Sequence, residues 1–230
     1  MFGPGFLSLL ILAAIHLFAN RARVFGWVWH GKFLSFASGI SFAYVFVDLL
    51  PALEKGEPVL KRTFEHVIPY LDRHSYLIAL LGILFYYGIQ PRTPSQKKNL
   101  WLPISGYLLF NFFIGASLSD SSNPEIQPLE LFTIAIGMHY FVRDHMSGIS
   151  KQPWVLATLI FSLFAGYFIG YFTKIPDVIT AIGISFIAGG IFLNVLHYEL
   201  PKREKGGYLW FVFGSLLYTA MLLGLGEINF

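Results

Sequence analysis

The stretch LSFASGISFAYVFVDLLPALEKG (34–56) returns 150 positions later, without a gap, as ISFIAGGIFLNVLHYELPKREKG (184–206). Ten of the 23 aligned positions are identical, and both copies end on Leu-Pro-x-x-Glu-Lys-Gly. The next segments correspond too, because YLIALLGILFY from Tyr76 aligns with YLWFVFGSLLY from Tyr208. Apolar bias does not readily produce the shared polar tail, so we predict an internal duplication.

The composition around this repeat is that of a membrane protein. Of 230 residues, 55% are hydrophobic, 18% aromatic and 13% charged, whereas a soluble domain has about 25% charged residues. The absence of cysteine excludes disulfides and thiolate metal sites. The net charge of +3 does not indicate nucleic acid, because basic residues in a membrane protein mainly set its orientation.

We predict an all-α integral membrane protein with eight transmembrane helices in a single polytopic domain, residues 1–230. Prolines and polar clusters separate the apolar runs and give approximate helix bounds. The predicted helices lie at about 5–20, 33–53, 75–90, 101–119, 127–148, 153–172, 177–200 and 207–226.

Basic residues mark one side of the predicted membrane. The odd-numbered connections between helices carry Arg21, Arg23, Lys32, Arg92, Lys97, Lys98, Lys151, Lys202, Arg203 and Lys205. The even-numbered connections are balanced or acidic, as at Asp120 and Glu125. We therefore predict a plasma (inner) membrane protein with cytoplasmic odd connections and both termini on the outer side.

The duplication also predicts an architecture. The second helix matches the seventh, and a five-helix separation reverses the direction through the membrane. This predicts an inverted-topology repeat, with residues 1–91 and 153–230 as halves around a central helix pair at 101–149, a 3+2+3 arrangement. Many secondary transporters use such repeats to build alternating access around a site near the membrane midplane.

The fifth predicted helix carries a second notable stretch, GMHYFVRDHMSG (137–148). It places His139, Arg143, Asp144 and His145 within seven positions of an apolar segment. Ionisable groups at membrane depth usually mark a transport pathway, a ligand site or a buried pair. The alternative is the last turn of a helix that leaves the membrane among solvated headgroups.

Two helices resemble the ZIP family of zinc and iron permeases. FASGISFAYVFVDLLPALE resembles the family's second helix, with a glycine followed by Leu-Leu-Pro and an acid. IAGGIFLNVLHYELPKRE resembles its seventh helix, with an Ala-Gly-Gly start and an acidic, Leu-Pro end. The resemblance implies eight helices, both termini outside, and a divalent metal such as zinc as cargo.

The family's metal ligands lie on its fourth and fifth helices, where this chain departs from the pattern. Of the family's His-Asn-x-Pro-Glu-Gly, only Asn111 and Gly115 remain. Of His-Glu-x-Pro-His, only His139 remains, and Arg143 replaces the second histidine. The sixth predicted helix contains no acidic residue. The resemblance thus implies Asn111 and His139 as the remnant of a metal site.

The chemistry of these residues suggests two arrangements. His139 and Arg143 share one helix face about 6 Å apart, and the arginine is permanently charged and only donates. We predict that it pairs with a carboxylate of another helix, Asp48 or Glu199, in the volume a metal would occupy. Alternatively, a replacement site could bind zinc or manganese through His139, Asn111, Asp144 and His145.

Other polar residues have simpler interpretations. Tyr44 and Asn194 occupy equivalent repeat positions, where they would line a transport pathway or, as we favour, form an interhelical hydrogen bond. His16, at the end of a span, and His66, in a mixed-charge loop, are read as ordinary residues. Residues 57–74 are predicted to form an amphipathic segment on the outer surface.

The leading hypothesis is a ZIP-like transport protein for a divalent metal ion, with substrate pathway residues Asn111, His139, Arg143, Asp144, Tyr44 and Asn194. The alternative is a transport-inactive protein of the same fold, with a structural or partner role, in which Arg143 replaces the metal charge. Transport of an anion paired to Arg143 stays open. We do not predict an enzyme, because the sequence shows no arrangement of a nucleophile and a base. The expected partners are the lipid bilayer, a small inorganic ion and a second copy in a homodimer.

Overall fold

The computed structural model describes residues 3–22, 30–90, 101–120, 126, 128–147, 152–200 and 207–228, and within these ranges every regular element is helical. The elements are α1 (Pro4–Ala22), α2 (His30–Tyr44), π1 (Val45–Leu49), α3 (Leu50–Phe64), α4 (His74–Ile89), α5 (Trp101–Ser119), α6 (Leu129–Ser147), α7 (Pro153–Thr173), α8 (Asp177–Asn194), π2 (Val195–Glu199) and α9 (Gly207–Ile228). Most of the connections used for the orientation argument, and the repeat tail 201–206, lie outside the described residues.

The helices are suited to a membrane. Five helical segments are long and apolar enough to cross one: Gly31–Phe64, Trp101–Ser119, Pro153–Thr173, Asp177–His197 and Gly207–Leu225. Two shorter apolar helices, Pro4–Ala19 and His74–Ile89, accompany them. A helix of about 20 residues matches the roughly 30 Å hydrocarbon core. The coarse prediction of an all-helical protein with membrane-type helices is therefore confirmed.

The second predicted helix is longer than expected. It continues from α2 through π1 into α3 and ends at Phe64, so the predicted helix end near residue 53 was wrong. Pro51 does not break it, because it directly follows π1 at the start of α3. There the Leu50 N–H bonds to the Val45 carbonyl five residues back, a wider turn than the one a proline ring would disrupt.

Both copies of the repeat contain a π-helical turn. π1 spans residues 45–49 and π2 spans residues 195–199, which is the same 150-residue offset that relates the two sequences. A π turn inserts one residue into an α-helix and is frequently found at functional sites. The two turns therefore distort equivalent positions of two long helices.

The backbones of helices α2 and α9 are in direct contact at two glycines. A Cβ added at Gly39 would lie 2.1 Å from the carbonyl oxygen of Phe211. A Cβ added at Gly214 would lie 2.2 Å from the carbonyl oxygen of Phe36. Only glycine permits so close an approach of two helices.

Helices α4 and α8 pack in the same manner. A Cβ at Gly189 would meet the carbonyl oxygen of Ala79 at 2.0 Å, and one at Gly82 would meet that of Phe186 at 2.1 Å. Under the alignment of the two copies, each of these four residues is the equivalent of one in the α2–α9 contact. The same glycine contact thus occurs twice.

The remaining helices form a second set. α5 packs on α7, where Gly115 faces the carbonyl oxygen of Leu163 and Gly166 faces that of Phe112. α1 packs on α6, and the Ser8 and Thr133 hydroxyl oxygens are 2.8 Å apart across this contact. This set brings α1, α5 and α6 together.

The carboxylate of Glu57 caps the N-terminus of α4. Its Oε1 accepts the His74 N–H at 2.9 Å and lies 3.0 Å from His74 Nδ1. Its Oε2 accepts the Ser75 N–H at 2.8 Å and the Ser75 hydroxyl at 2.6 Å. The first N–H groups of a helix have no partner within the helix, and a carboxylate there also complements the helix dipole.

We expect Glu57→Ala to lower the free energy of unfolding by about 1–3 kcal/mol, because the buried donors of His74 and Ser75 lose their acceptor. The matched control is Glu54→Ala on the same helix, which removes exposed contacts with Arg73 and with the Tyr76 hydroxyl and should cost at most about 1 kcal/mol. Unfolding in detergent, followed by helical circular dichroism, compares the two. Equal losses would contradict the capping role.

Candidate functional site

His16 of α1 joins three helices in the protein interior. Its Nδ1 lies 2.5 Å from Oδ2 of Asp144 on α6, and its Nε2 lies 3.0 Å from Oδ1 of Asn111 on α5. His16 and Asn111 are fully buried, and Asp144 is 4% exposed. The interpretation of His16 as an ordinary residue near the end of a helix was therefore wrong.

The orientation of the Asn111 amide defines this contact further. Its Nδ2 donates to the Tyr107 carbonyl oxygen at 2.8 Å, so its Oδ1 is the atom turned toward His16. Each ring nitrogen of His16 thus faces an oxygen atom, one from Asp144 and one from Asn111.

Arg143 binds its neighbour on the same helix. Its Nε and Nη2 donate to Oδ1 of Asp144 at 3.2 and 3.1 Å. The prediction that Arg143 pairs with Asp48 or Glu199 was wrong, because its long side chain turns back to the adjacent carboxylate. Asp144 consequently has one oxygen on Arg143 and the other on His16.

Aromatic rings surround the guanidinium of Arg143. Its central carbon lies 4.8 Å from the ring centroid of Tyr107, 4.8 Å from that of Tyr140 and 5.5 Å from that of Phe110. The side chain is 7% exposed, and its Nη1 is buried without a hydrogen-bond partner. Cation–π attraction contributes about 2 kcal/mol or more where the cation is desolvated. We call these three rings and the Asp144 carboxylate the Arg143 cage.

A second buried pair lies one helical turn away from Arg143. His139 Nδ1 of α6 is 2.6 Å from Oε1 of Glu199 in π2, and the two residues are 1% and 4% exposed. The distance is that of an ion pair, and no hydrogen bond joins the two side chains. Both ring nitrogens and both carboxylate oxygens are buried without a hydrogen-bond partner.

The structure places the other predicted residues apart from these two pairs. His145 is half-buried, and its ring is nearly parallel to that of Phe141 at 6.4 Å. Tyr44 is buried edge-on to Tyr218, whose hydroxyl donates to Asp48 at 3.2 Å. The hydrogen bonds of the described residues do not include one between Tyr44 and Asn194, so the bond that we favoured is absent there.

Potential metal ligands occur as pairs. Within the described ranges, no three His, Asp or Glu side chains are grouped so that they could hold a metal ion. Asp144 and Asn111 both contact His16, whereas His139 faces Glu199. The four-residue metal set stays a prediction. His16 and Glu199 were missed or misassigned because a single sequence does not reveal which side chains meet across helices.

No protein-family model matches this chain. No curated protein matches it either.

Proposed function

We propose that this protein is a ZIP-like membrane transport protein for a small divalent cation such as zinc. Its eight transmembrane helices form inverted three-helix halves, residues 1–91 and 153–230, around a central pair within 101–149. It lies in the plasma (inner) membrane with both termini on the outer side. The cation passes between the central pair and the second half.

Two structural features support the inverted repeat. The π turns π1 and π2 lie 150 residues apart, as the sequence copies do. The glycine contacts of α2 on α9 also have their equivalents in α8 on α4. In both cases, the second helix of one half packs against the third helix of the other. Such exchanged packing is expected of two halves related by a two-fold axis in the membrane plane.

The observation that carries the transport proposal is the unsatisfied pair of His139 and Glu199. Four buried polar atoms of two ligand-type side chains meet there without a hydrogen bond. Each such buried group costs about 1–3 kcal/mol, and a bound cation would offset that cost. Imidazole and carboxylate are ligands that zinc accepts. The pair also bridges the central helix α6 and the second half, where a transported ion would pass.

Arg143 is compatible with this site because Asp144 holds its guanidinium elsewhere. The arginine makes no ion pair with Glu199 among the described contacts. Its positive charge, one turn from His139, weakens cation binding by electrostatic repulsion. Weak binding suits transport, since conduction requires an ion to leave its site as well as enter it.

The test is zinc or manganese uptake by proteoliposomes, with bound metal measured by elemental analysis. We expect uptake by the unmodified protein, and a fall of about tenfold or more for both His139→Ala and Glu199→Gln. His66→Ala is the matched control, because its side chain is 88% exposed. If the unmodified protein neither binds metal nor takes it up, the proposal of metal transport is rejected.

A second candidate is a transport-inactive protein with a structural or partner role. The observation that favours it is the occupation of both Asp144 oxygens by Arg143 and His16. The guanidinium of Arg143 would then replace the charge of a metal in the interior of the bundle. The same uptake assay decides between the candidates, because a transport-inactive protein should show no metal uptake either unmodified or in any variant.

A further inference from the structure

We propose that the Arg143 cage is a binding site for a guanidinium-class organic cation, which the chain fills with its own arginine in this conformation. This inference goes beyond the divalent-cation proposal, because it concerns different atoms and a different class of ligand. It rests on the rings of Tyr107, Phe110 and Tyr140 and on the carboxylate of Asp144.

The contacts of the cage are those that recognise a planar organic cation. Three aromatic rings lie within 5.5 Å of the guanidinium carbon, and Asp144 Oδ1 accepts two N–H bonds at 3.1 and 3.2 Å. Aromatic faces attract a cation through the ring quadrupole. A divalent metal instead requires several oxygen, nitrogen or sulfur lone pairs, whereas this guanidinium is held by three ring faces and one carboxylate oxygen.

Arg143 and the cage each leave one polar group without a hydrogen bond. Nη1 of Arg143 and the hydroxyl oxygen of Tyr140 are both buried without a hydrogen-bond partner. Tyr140 is fully buried, so bulk water does not satisfy its hydroxyl. A residue selected only to fill space at this depth would be apolar, since an unsatisfied donor in a buried site carries a cost. The cage therefore suits a cation, but the side chain of Arg143 leaves part of its hydrogen-bonding capacity unused.

Arg143 blocks the site because its guanidinium is covalently attached to the chain. A covalently attached guanidinium competes at a high effective concentration, in the millimolar range or above, so a free cation does not enter while the arginine is in place. Arg143 lies one helical turn from His139 on the same helix. Removing it should expose the cage without changing its rings or its carboxylate.

The experiment uses purified Arg143→Ala and ethylguanidinium, which supplies the atoms that this substitution removes. At about ten times the dissociation constant, we expect the Tm of Arg143→Ala to rise by about 3–6 °C. The unmodified protein, whose cage is full, should not respond. Arg143→Met is the matched control, because its apolar side chain fills the cage, and it should not respond either. Ethylammonium, a compact point charge, should give a smaller rise than ethylguanidinium.

The role of the carboxylate is tested in Arg143→Ala/Asp144→Asn, which should lose the response. An equal Tm response in Arg143→Ala and Arg143→Met, or none in Arg143→Ala, would overturn the proposal. If Arg143→Ala does not fold alone, its folded yield is measured after purification in ethylguanidinium. Recovery with ethylguanidinium but not with sodium supports the proposal, and no recovery overturns it. Since these readouts do not involve metal uptake, their failure is distinguishable from failure of the transport proposal.

Discussion

Asp144→Ala is expected to lower the free energy of unfolding by about 3–5 kcal/mol, because it leaves the buried guanidinium of Arg143 without its counter-charge. The carboxylate binds His16 through one oxygen and Arg143 through the other. The guanidinium cannot lose its proton in a protein. Arg143 would therefore remain charged in the protein interior.

The measurement is reversible unfolding in mixed micelles, followed by circular dichroism. Arg143→Met/Asp144→Leu is the informative companion, because replacing a buried ion pair by apolar residues of similar volume is often neutral or stabilising. We expect this double variant to lie closer to the unmodified protein than Asp144→Ala does. A loss below about 1 kcal/mol for Asp144→Ala, as for an exposed pair, would contradict a buried network.

The positions of the helices could be predicted because long apolar runs separated by prolines carry that information locally. Trp101–Ser119 matches its predicted bounds, and π2 ends at Glu199, directly before the predicted end at residue 200. The second helix was predicted to end near residue 53, because the apolar run gives way there to the polar residues Glu54, Lys55 and Glu57. In the structure the helix continues to Phe64, with a π turn before Pro51 that hydropathy does not reveal.

The polar contacts could be predicted only in part, because they join helices far apart in the chain. The cluster at 137–148 correctly indicated buried ionisable residues, since Arg143 and Asp144 are both buried. Its partners were not evident. His16 is 128 residues from Asp144, and the only local signal was a lone imidazole within the apolar run LLILAAIHLF. An ionisable residue in such a run is better treated as a candidate partner for every other buried charge.

Gly189→Ala tests the close packing of α8 on α4. The new Cβ would lie 2.0 Å from the Ala79 carbonyl oxygen and 2.8 Å from the Ile83 nitrogen, and both are backbone atoms that cannot move without moving the helix. We therefore expect a loss of unfolding free energy of about 1–3 kcal/mol or more. Gly88→Ala on α4 is the matched control, since its Cβ would meet nothing within 4 Å. That change should be neutral or stabilise the protein by up to about 1 kcal/mol.

The same substitution at Gly39 extends the test to the symmetry of the fold. Its Cβ would lie 2.1 Å from the Phe211 carbonyl oxygen, so Gly39→Ala should destabilise α2 on α9 about as much as Gly189→Ala destabilises α8 on α4. Thermal unfolding in detergent compares the three variants. If Gly189→Ala behaved like Gly88→Ala, α8 and α4 would not be in backbone contact. If Gly39→Ala and Gly189→Ala differed strongly, the two contacts would not be equivalent, and the inverted repeat would lose its main structural support.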